Sequence, residues 1–167
     1  MSIPTKISGF TIRHALEADV PLILGFVKEL AGYEKLSDEV IATEEDYRHY
    51  LFGEKRFAEV IIGEFGSEPV GYALYFYNFS TFTGRPGIYL EDLYVEPDQR
   101  GKGFGKALLA YLARLAVDKQ CRRYEWAVLD WNQPSIDFYE SFGATLMKEW
   151  IITRLTGDDL VKLAMQF

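Results

Sequence analysis

The spacing of apolar residues along the chain predicts a series of alternating strands and helices. Apolar positions two apart predict strands, at residues 10–13, 57–65, 70–77, 88–95, 124–129 and 146–154. Apolar positions three and four apart predict helices, at residues 19–32, 43–52, 104–119 and 135–142, and residues 160–165 fit either type. The order β-α-α-β-β-β-α-β-α-β with a tail predicts one domain over residues 1–167. Its fold class is α/β (α+β mixed sheet), a central twisted sheet flanked by helices.

The strand at residues 88–95 changes its apolar face midway. Ile88 and Leu90 share one face, whereas Leu93 and Val95 share the other. The change falls across the acidic pair Glu91 and Asp92, and one extra residue in a β-bulge would absorb it. The pattern therefore predicts a bulge at the acidic pair. Such a bulge would let both carboxylates act on the same pocket.

A glycine-rich turn, Arg-Gly-Lys-Gly-Phe-Gly at residues 100–105, separates this strand from the next helix. Glycines allow positive φ and close approach of a ligand, and the first N–H groups of a helix have no intrahelical partner. Such a turn favours an anion, most naturally a phosphate. The spacing fits neither the dinucleotide-binding pattern nor the P-loop pattern. A glycine-rich turn without a ligand is the alternative.

Composition narrows the functional classes. The net charge of −7 argues against nucleic acid as a partner and is compatible with a cationic small molecule. No apolar run is long enough to span a membrane, no secretory leader is evident, and the lone cysteine, Cys121, suits a reducing compartment such as the cytoplasm. Two histidines and no ligand spacing predict that the chain holds no metal.

A second motif, Asn-x-Pro-Ser-x-x-Phe-Tyr-x-x-x-Gly-Ala, occupies residues 132–144. Proline near the first helical position and Gly143 at the end predict a short helix. Tyr139 within it is, taken alone, best interpreted as a core aromatic beside Phe138 and Phe142. Together with the glycine turn about thirty residues upstream, the motif resembles the cofactor-binding region of the GNAT acyltransferases, and this resemblance implies a catalytic role for Tyr139 instead.

Together these motifs resemble the GNAT acyltransferases, over almost the whole chain. The stretches FTIRHA, KELAGYE, YLEDLYV, RGKGFG and WNQPSIDFYESFGA are similar to those of its spermidine/spermine (diamine) and thialysine N-acetyltransferase branch. The resemblance implies a fold in which the bulge splays two parallel strands to admit the pantetheine arm of acetyl-CoA. It also implies a homodimer.

The resemblance also implies site residues. Those expected at acetyl-CoA are Leu93, Tyr94, Val95, Arg100, Gly101, Lys102, Gly103, Phe104, Gly105, Lys106, Asn132 and Ser135. Those expected at the amine acceptor are Tyr33, Glu34, Glu91, Asp92, Glu125, Trp126, Ala127 and Glu149. Glu149 aligns with an acid of the family's acceptor pocket only if a gap is introduced in the alignment. From the residues alone, Tyr33 and Glu34 are better interpreted as an exposed loop.

These residue types suit acetyl transfer to an amine. Carboxylates at Glu91 and Asp92 can bind the ammonium, and either of them or a chain of waters can take its proton. An N–H group freed near Leu93 can hold the thioester oxygen. In this interpretation the Tyr139 hydroxyl protonates the departing sulfur.

Three hypotheses follow from the sequence. The first is an acetyl-CoA-dependent N-acetyltransferase for a polyamine, a diamine or a lysine-like amino acid. The second is a GNAT enzyme for a protein amine or another metabolite, and the third is a CoA-binding module without turnover. Residues 78–87, predicted as an aromatic loop that forms a lid or an acceptor wall, differ from the polyamine enzymes and leave the acceptor open.

Overall fold

The computed structural model describes all 167 residues of the chain. They form two compact units, Met1–Ala127 and Val128–Phe167.

The first unit is built on a six-stranded sheet whose strands lie in chain order. The strands are β1 (Ser2–Pro4), β2 (Phe10–His14), β3 (Glu59–Phe65), β4 (Glu68–Ser80), β5 (Arg85–Val95) and β6 (Tyr124–Trp126). Neighbours are antiparallel from β1 to β5, while β5 and β6 are parallel. The mixed α/β architecture predicted from the sequence is confirmed, and β1 is a strand that the apolar pattern missed.

Three helices accompany this sheet: α1 (Val20–Glu34), α2 (Glu44–Tyr47) and α3 (Phe104–Asp118). The predicted start at Thr43 is confirmed. The Thr43 hydroxyl accepts a hydrogen bond from the Asp46 N–H at 3.3 Å, and the Asp46 carboxylate accepts one from the Thr43 N–H at 2.8 Å. A π-helical turn, Arg48–Phe52, follows α2.

The predicted end of α1 at Gly32 is wrong, because the helix continues to Glu34. It ends where Lys35 takes a left-handed conformation with φ of 63°. The N–H groups of Lys35 and Leu36 then bond the carbonyls of Gly32 and Ala31, at 3.2 and 2.8 Å. This cap offsets the cost of about 1 kcal/mol for a glycine inside a helix. Tyr33 and Glu34 therefore lie on a helical turn rather than in a loop.

Residues 78–87 are also not the predicted loop. β4 and β5 stay paired as far as Ser80 and Arg85, so only residues 81–84 form the connection. The aromatic residues here favour a paired strand. Gly84, with φ of 61°, closes the turn by donating its N–H to the Ser80 carbonyl at 2.8 Å.

Aromatic side chains pack on both faces of the sheet. Phe26 of α1 lies 5.7 Å from the rings of both Tyr72 and Tyr94, measured between centroids. Phe104, the first residue of α3, stacks on Phe10 at 4.2 Å. This packing fixes α1 against β4 and β5, and fixes the start of α3 against β2.

The second unit contains α4 (Gln133–Glu140) and α5 (Gly157–Ala164). Gly143 beyond α4 has φ of 85°, as predicted for a left-handed stop. The strand predicted at residues 146–154 is wrong: the segment has no regular structure, and Trp150 and Ile151 are 74% and 85% exposed. A strand requires a neighbour for its backbone hydrogen bonds, and apolar alternation cannot supply one. None of the chain's helices is long and apolar enough to cross a membrane.

Candidate functional site

The predicted β-bulge is present in β5. Leu74 pairs with Asp92 and Tyr75 pairs with Leu90, so Glu91 is the extra residue. Residues paired across antiparallel strands point to the same face. Asp92 consequently faces the same side as Tyr72, which is the side that Phe26 of α1 covers.

The parallel pairing of β5 and β6 stops directly before this bulge. It joins Ile88 to Tyr124 and ends at Leu90 and Trp126. β5 continues against β4 to Val95. The bulge thus coincides with the place where the two parallel strands cease to pair, as the family resemblance implied.

Asp92 lies among side chains from three elements, which we call the Asp92 cluster: Glu34, Tyr47, Tyr72 and Asp92. The Tyr72 hydroxyl donates a hydrogen bond to Asp92 Oδ2 at 2.9 Å. The charge of Asp92 raises the pKa values of Glu34 and Tyr47, in both cases after the larger effect of burial. α1, α2 and β4 therefore all contribute a polar group near the bulge.

Burial and hydrogen bonding act on Asp92 in opposite directions. Burial is the larger effect and raises the pKa of the Asp92 carboxyl above its usual value, while the Tyr72 hydrogen bond lowers it. Glu91, by contrast, is exposed. The two predicted acids therefore differ in burial, and the Asp92 carboxylate is held by the hydrogen bond from Tyr72.

Tyr72 and Tyr47 are members of the cluster that the sequence analysis missed. Their positions in the sequence mark them only as residues of a strand and a helix. The contact of Tyr72 with Asp92 depends on the register that the bulge sets between β4 and β5. A cross-strand pairing of this kind leaves no local signal in the sequence.

The predicted anion-binding turn leads into the N-terminus of α3. Gly101 and Gly103 have φ of 76° and 86°, which is the left-handed region that glycine adopts without strain. Both are exposed, and no side-chain hydrogen bond caps the helix. A side chain added at Gly101 would meet no atom within 4 Å. The turn thus presents open space beside a helix start, as an anion site requires.

Arg100 in this turn is held by α1 and β5. Its guanidinium carbon lies 5.0 Å from the ring centre of Tyr33 and 5.7 Å from that of Tyr94. Its Nε donates to the Val95 carbonyl at 2.9 Å. Tyr33, expected at the acceptor, therefore contacts an arginine expected at the cofactor.

The β6 residues expected at the acceptor have partners of their own. The Glu125 carboxylate lies 2.9 Å from Arg123 Nε and accepts a hydrogen bond from Asn78 Nδ2 at 3.0 Å. The Trp126 ring packs edge-on against Tyr124, with 4.9 Å between centroids. Ala127 is exposed. The charge of Glu125 is thus balanced by Arg123 within the protein.

Four of the predicted residues belong to the second unit: Asn132, Ser135, Tyr139 and Glu149. Asn132 precedes α4, and its Oδ1 accepts a hydrogen bond from the Ser135 N–H at 3.4 Å. Asn132 thereby caps the helix that carries Tyr139. The Tyr139 ring is half-buried, 5.5 Å from the ring of Phe138. Glu149 is exposed in the segment without regular structure.

Comparison with known proteins gives one consistent assignment. The model of the acetyltransferase (GNAT) family matches residues 28–144. The chain is 43% identical to the thialysine N-epsilon-acetyltransferase of Sus scrofa, over 92% of this chain and 96% of that protein. It is 31% identical to the L-ornithine N5-acetyltransferase of Arabidopsis thaliana, over 89% and 85%.

A solved structure agrees with the sequence relatives. An integron cassette protein from the mobile metagenome of V. cholerae superposes with a TM-score of 0.79 and 30% identity, over 93% of this chain and 98% of that one. The fold, the family model and the sequence relatives all support the same family. The chain belongs to the GNAT family and is an N-acetyltransferase, one of the acyltransferases.

Proposed function

We propose that the chain transfers an acetyl group from acetyl-CoA to a primary amine of a small cationic acceptor. The acceptor class comprises polyamines, diamines and amino acids of the thialysine or lysine type. The observation that carries this proposal is the half-buried Asp92 carboxylate at the bulge, with Glu34 beside it. Two carboxylates around one place favour a ligand with positive charge.

The names of the relatives support an amino-acid acceptor in particular. Thialysine and ornithine, named in two of them, are amino acids with a primary amine on the side chain. The resemblance to the spermidine/spermine branch supports a diamine or polyamine as the alternative acceptor.

The turn at residues 100–106 fits the pyrophosphate of acetyl-CoA. Its open, positive-φ glycines and the uncapped start of α3 provide backbone N–H donors, and Arg100 and Lys102 add charge. We assign the acyl end of the cofactor to the backbone of Leu93, Tyr94 and Val95, beyond the bulge. Acetyl-CoA supplies the acetyl group as an activated thioester.

The proposed reaction needs a group that binds the cation, a base, a donor to the thioester oxygen and an acid, and the chain has a candidate for each. At pH 7 only about one in 2,500 lysine-like amines is neutral, so Asp92 first binds the cation and a base must then take its proton. Asp92, Glu91 or a chain of waters serves as that base. The Leu93 N–H donates to the thioester oxygen, and Tyr139 gives its proton to the departing thiolate.

An acceptor panel tests this proposal. Free thiol released from acetyl-CoA is measured with spermidine, putrescine, thialysine, lysine, ornithine and a peptide amine. We expect saturable release with at least one small cationic amine and a product that carries one added acetyl group. Release that requires the peptide amine, or that is equal without any amine, would contradict the proposed acceptor class.

Substitution of Gly101 by alanine is expected to weaken acetyl-CoA binding about tenfold. Alanine at positive φ costs about 1–2 kcal/mol, so the turn relaxes and its N–H groups lose their alignment. The matched control is Gly66→Ala, since Gly66 also has positive φ, of 59°, and open space, but lies between β3 and β4. Titration with acetyl-CoA measures both; equal affinities in the two variants would remove the turn from the cofactor site.

We further propose that the chain is a homodimeric, cytoplasmic enzyme with a single domain. The family resemblance supports the dimer, as do the exposed apolar side chains of Met147, Trp150, Ile151 and Ile152. Sedimentation equilibrium at micromolar concentration is expected to give twice the 19.2 kDa mass of the chain. A monomer at all concentrations would contradict the proposed dimer.

A further inference from the structure

Tyr72 is a buried phenol whose hydroxyl donates to the carboxylate that we propose binds the acceptor. Its side chain is 0% exposed, and its ring stacks on Phe26 with 9° between the planes. Its hydroxyl donates to Asp92 Oδ2 at 2.9 Å. Because the ring is packed between α1 and the sheet, the hydroxyl cannot leave this position without disturbing the core.

The donor role of Tyr72 is also fixed chemically. Burial raises the pKa of the Tyr72 phenol well above its usual value, and the charge of Asp92 raises it further. The phenol therefore keeps its proton at neutral pH and acts there as the hydrogen-bond donor. Asp92 in turn follows the bulge, where the register shift places it on the face of Tyr72.

We propose that Tyr72 is a positioning residue for the acceptor. By holding Oδ2, it sets the orientation in which the Asp92 carboxylate presents its other oxygen to the ammonium of a small cationic amine. This inference rests on the proposed function. It adds a residue of β4 to the acceptor site. In this site the bulge places Asp92, and the phenol orients its carboxylate toward a primary ammonium group.

The position of the other cluster members supports this arrangement. Glu34 and Tyr47 approach Asp92 from α1 and α2, within reach of its charge. The Tyr72 hydroxyl bonds Oδ2 of Asp92, and we propose that the other carboxylate oxygen accepts from the ammonium group of the acceptor. An ammonium group supplies up to three donors and the opposite charge.

Tyr72→Phe is expected to raise the KM for the amine about tenfold, because the Asp92 carboxylate loses the hydrogen bond that orients it. kcat and the KM for acetyl-CoA should change less than about twofold, because the phenol contacts neither the thioester nor the cofactor turn. Initial rates of thiol release measure all three quantities. A loss of folding alone would lower the active fraction and leave both KM values unchanged.

The chain offers a closely matched control in Tyr75→Phe. Tyr75 is in the same strand, is also 0% exposed, and also donates to a carboxylate, Glu59 Oε2, at 2.9 Å. It points to the opposite face, where it pairs with Leu90. We expect a similar loss of stability and an unchanged KM for the amine. An equal rise of KM in both variants would overturn the inference.

A second pair of variants separates positioning from packing. In the Asp92→Asn background, Tyr72→Phe is expected to change the KM for the amine less than about twofold, because the charge that the phenol positions is gone. A full tenfold effect in that background would show that Tyr72 acts through the core and would refute its positioning role.

The proposed function and this inference fail differently. If the unmodified enzyme acetylates small cationic amines and Tyr72→Phe leaves their KM unchanged, the role of Tyr72 alone is wrong. If the unmodified enzyme acetylates no small cationic amine, the proposed function is wrong and the inference falls with it.

Discussion

Replacing Tyr139 by phenylalanine is expected to lower kcat at least 10²-fold while the affinity for acetyl-CoA changes less than about twofold. A positioned general acid typically contributes about 10²–10⁴-fold, and phenylalanine keeps the ring but removes the proton. The half-buried ring beside Phe138 should pack as before. Steady-state rates give kcat, and calorimetric titration gives the affinity.

The control for this prediction is another phenol with a polar partner. Tyr111 lies on α3, with its hydroxyl 3.1 Å from His14 Nε2. Tyr111→Phe also removes one hydroxyl and is expected to keep kcat within about twofold of the unmodified enzyme. Unchanged turnover in Tyr139→Phe would exclude Tyr139 as the acid and leave water to protonate the thiolate.

Replacing Asp92 by asparagine is expected to raise the KM for the amine by about 10- to 100-fold. The change removes the negative charge and weakens a charge-assisted hydrogen bond of about 1.5–3 kcal/mol. The KM for acetyl-CoA should stay within about twofold, because the cofactor turn keeps its own donors. Kinetics with varied amine and with varied acetyl-CoA distinguish the two constants.

Glu59→Gln is the matched control, since Glu59 also accepts a hydrogen bond from a buried tyrosine at 2.9 Å. It lies on the other face of the sheet, and its loss should leave the KM for the amine unchanged. An unchanged KM in Asp92→Asn would refute the acceptor site. An equal rise in both variants would indicate a general effect of net charge instead.

The Asp92 change also has an expected effect on stability. Burial raises the pKa of the Asp92 carboxyl in the folded protein, so the folded state binds this proton more tightly than the unfolded state. Its contribution to stability therefore falls as pH rises through the interval between the unfolded and the folded pKa. At pH 7 asparagine removes the cost of burying an ionised carboxylate. The thermal unfolding midpoint of the variant is therefore expected to be at least as high as that of the unmodified enzyme.

The bulge could be predicted from sequence because strand periodicity is strict. The apolar face changes between Leu90 and Leu93, and only an inserted residue keeps both sets in the core. The glycine turn was equally accessible, since positive φ at Gly101 and Gly103 limits which residues can stand there. The bulge and the glycine turn could be predicted because each depends on residues that are adjacent in the sequence.

Features that depend on a residue distant in the sequence could not be predicted in this way. The segment at residues 146–154 alternates as a strand should, yet no neighbouring strand pairs with it. Residues 78–87 contain glycines that suggest a loop, yet β4 and β5 pair through most of them. In both cases the pairing partner decides the structure, and propensity does not.

The same reason accounts for Tyr72. Its identity, burial and strand could be inferred, but its contact with Asp92 follows from the register across a bulge twenty residues away. Glu125, which stays a predicted acceptor residue, likewise has partners that the sequence alone does not reveal, namely Arg123 and Asn78. Which acids remain available to a ligand is determined by packing that the sequence does not display.

The most direct test of the account is a crystal structure with a non-hydrolysable acetyl-CoA analogue and a small cationic amine. We predict the pyrophosphate on the N–H groups of residues 101–105, and the ammonium within hydrogen-bond distance of Asp92, with the Tyr72 bond retained. A pyrophosphate bound elsewhere, or an amine with no contact to Asp92, would contradict it.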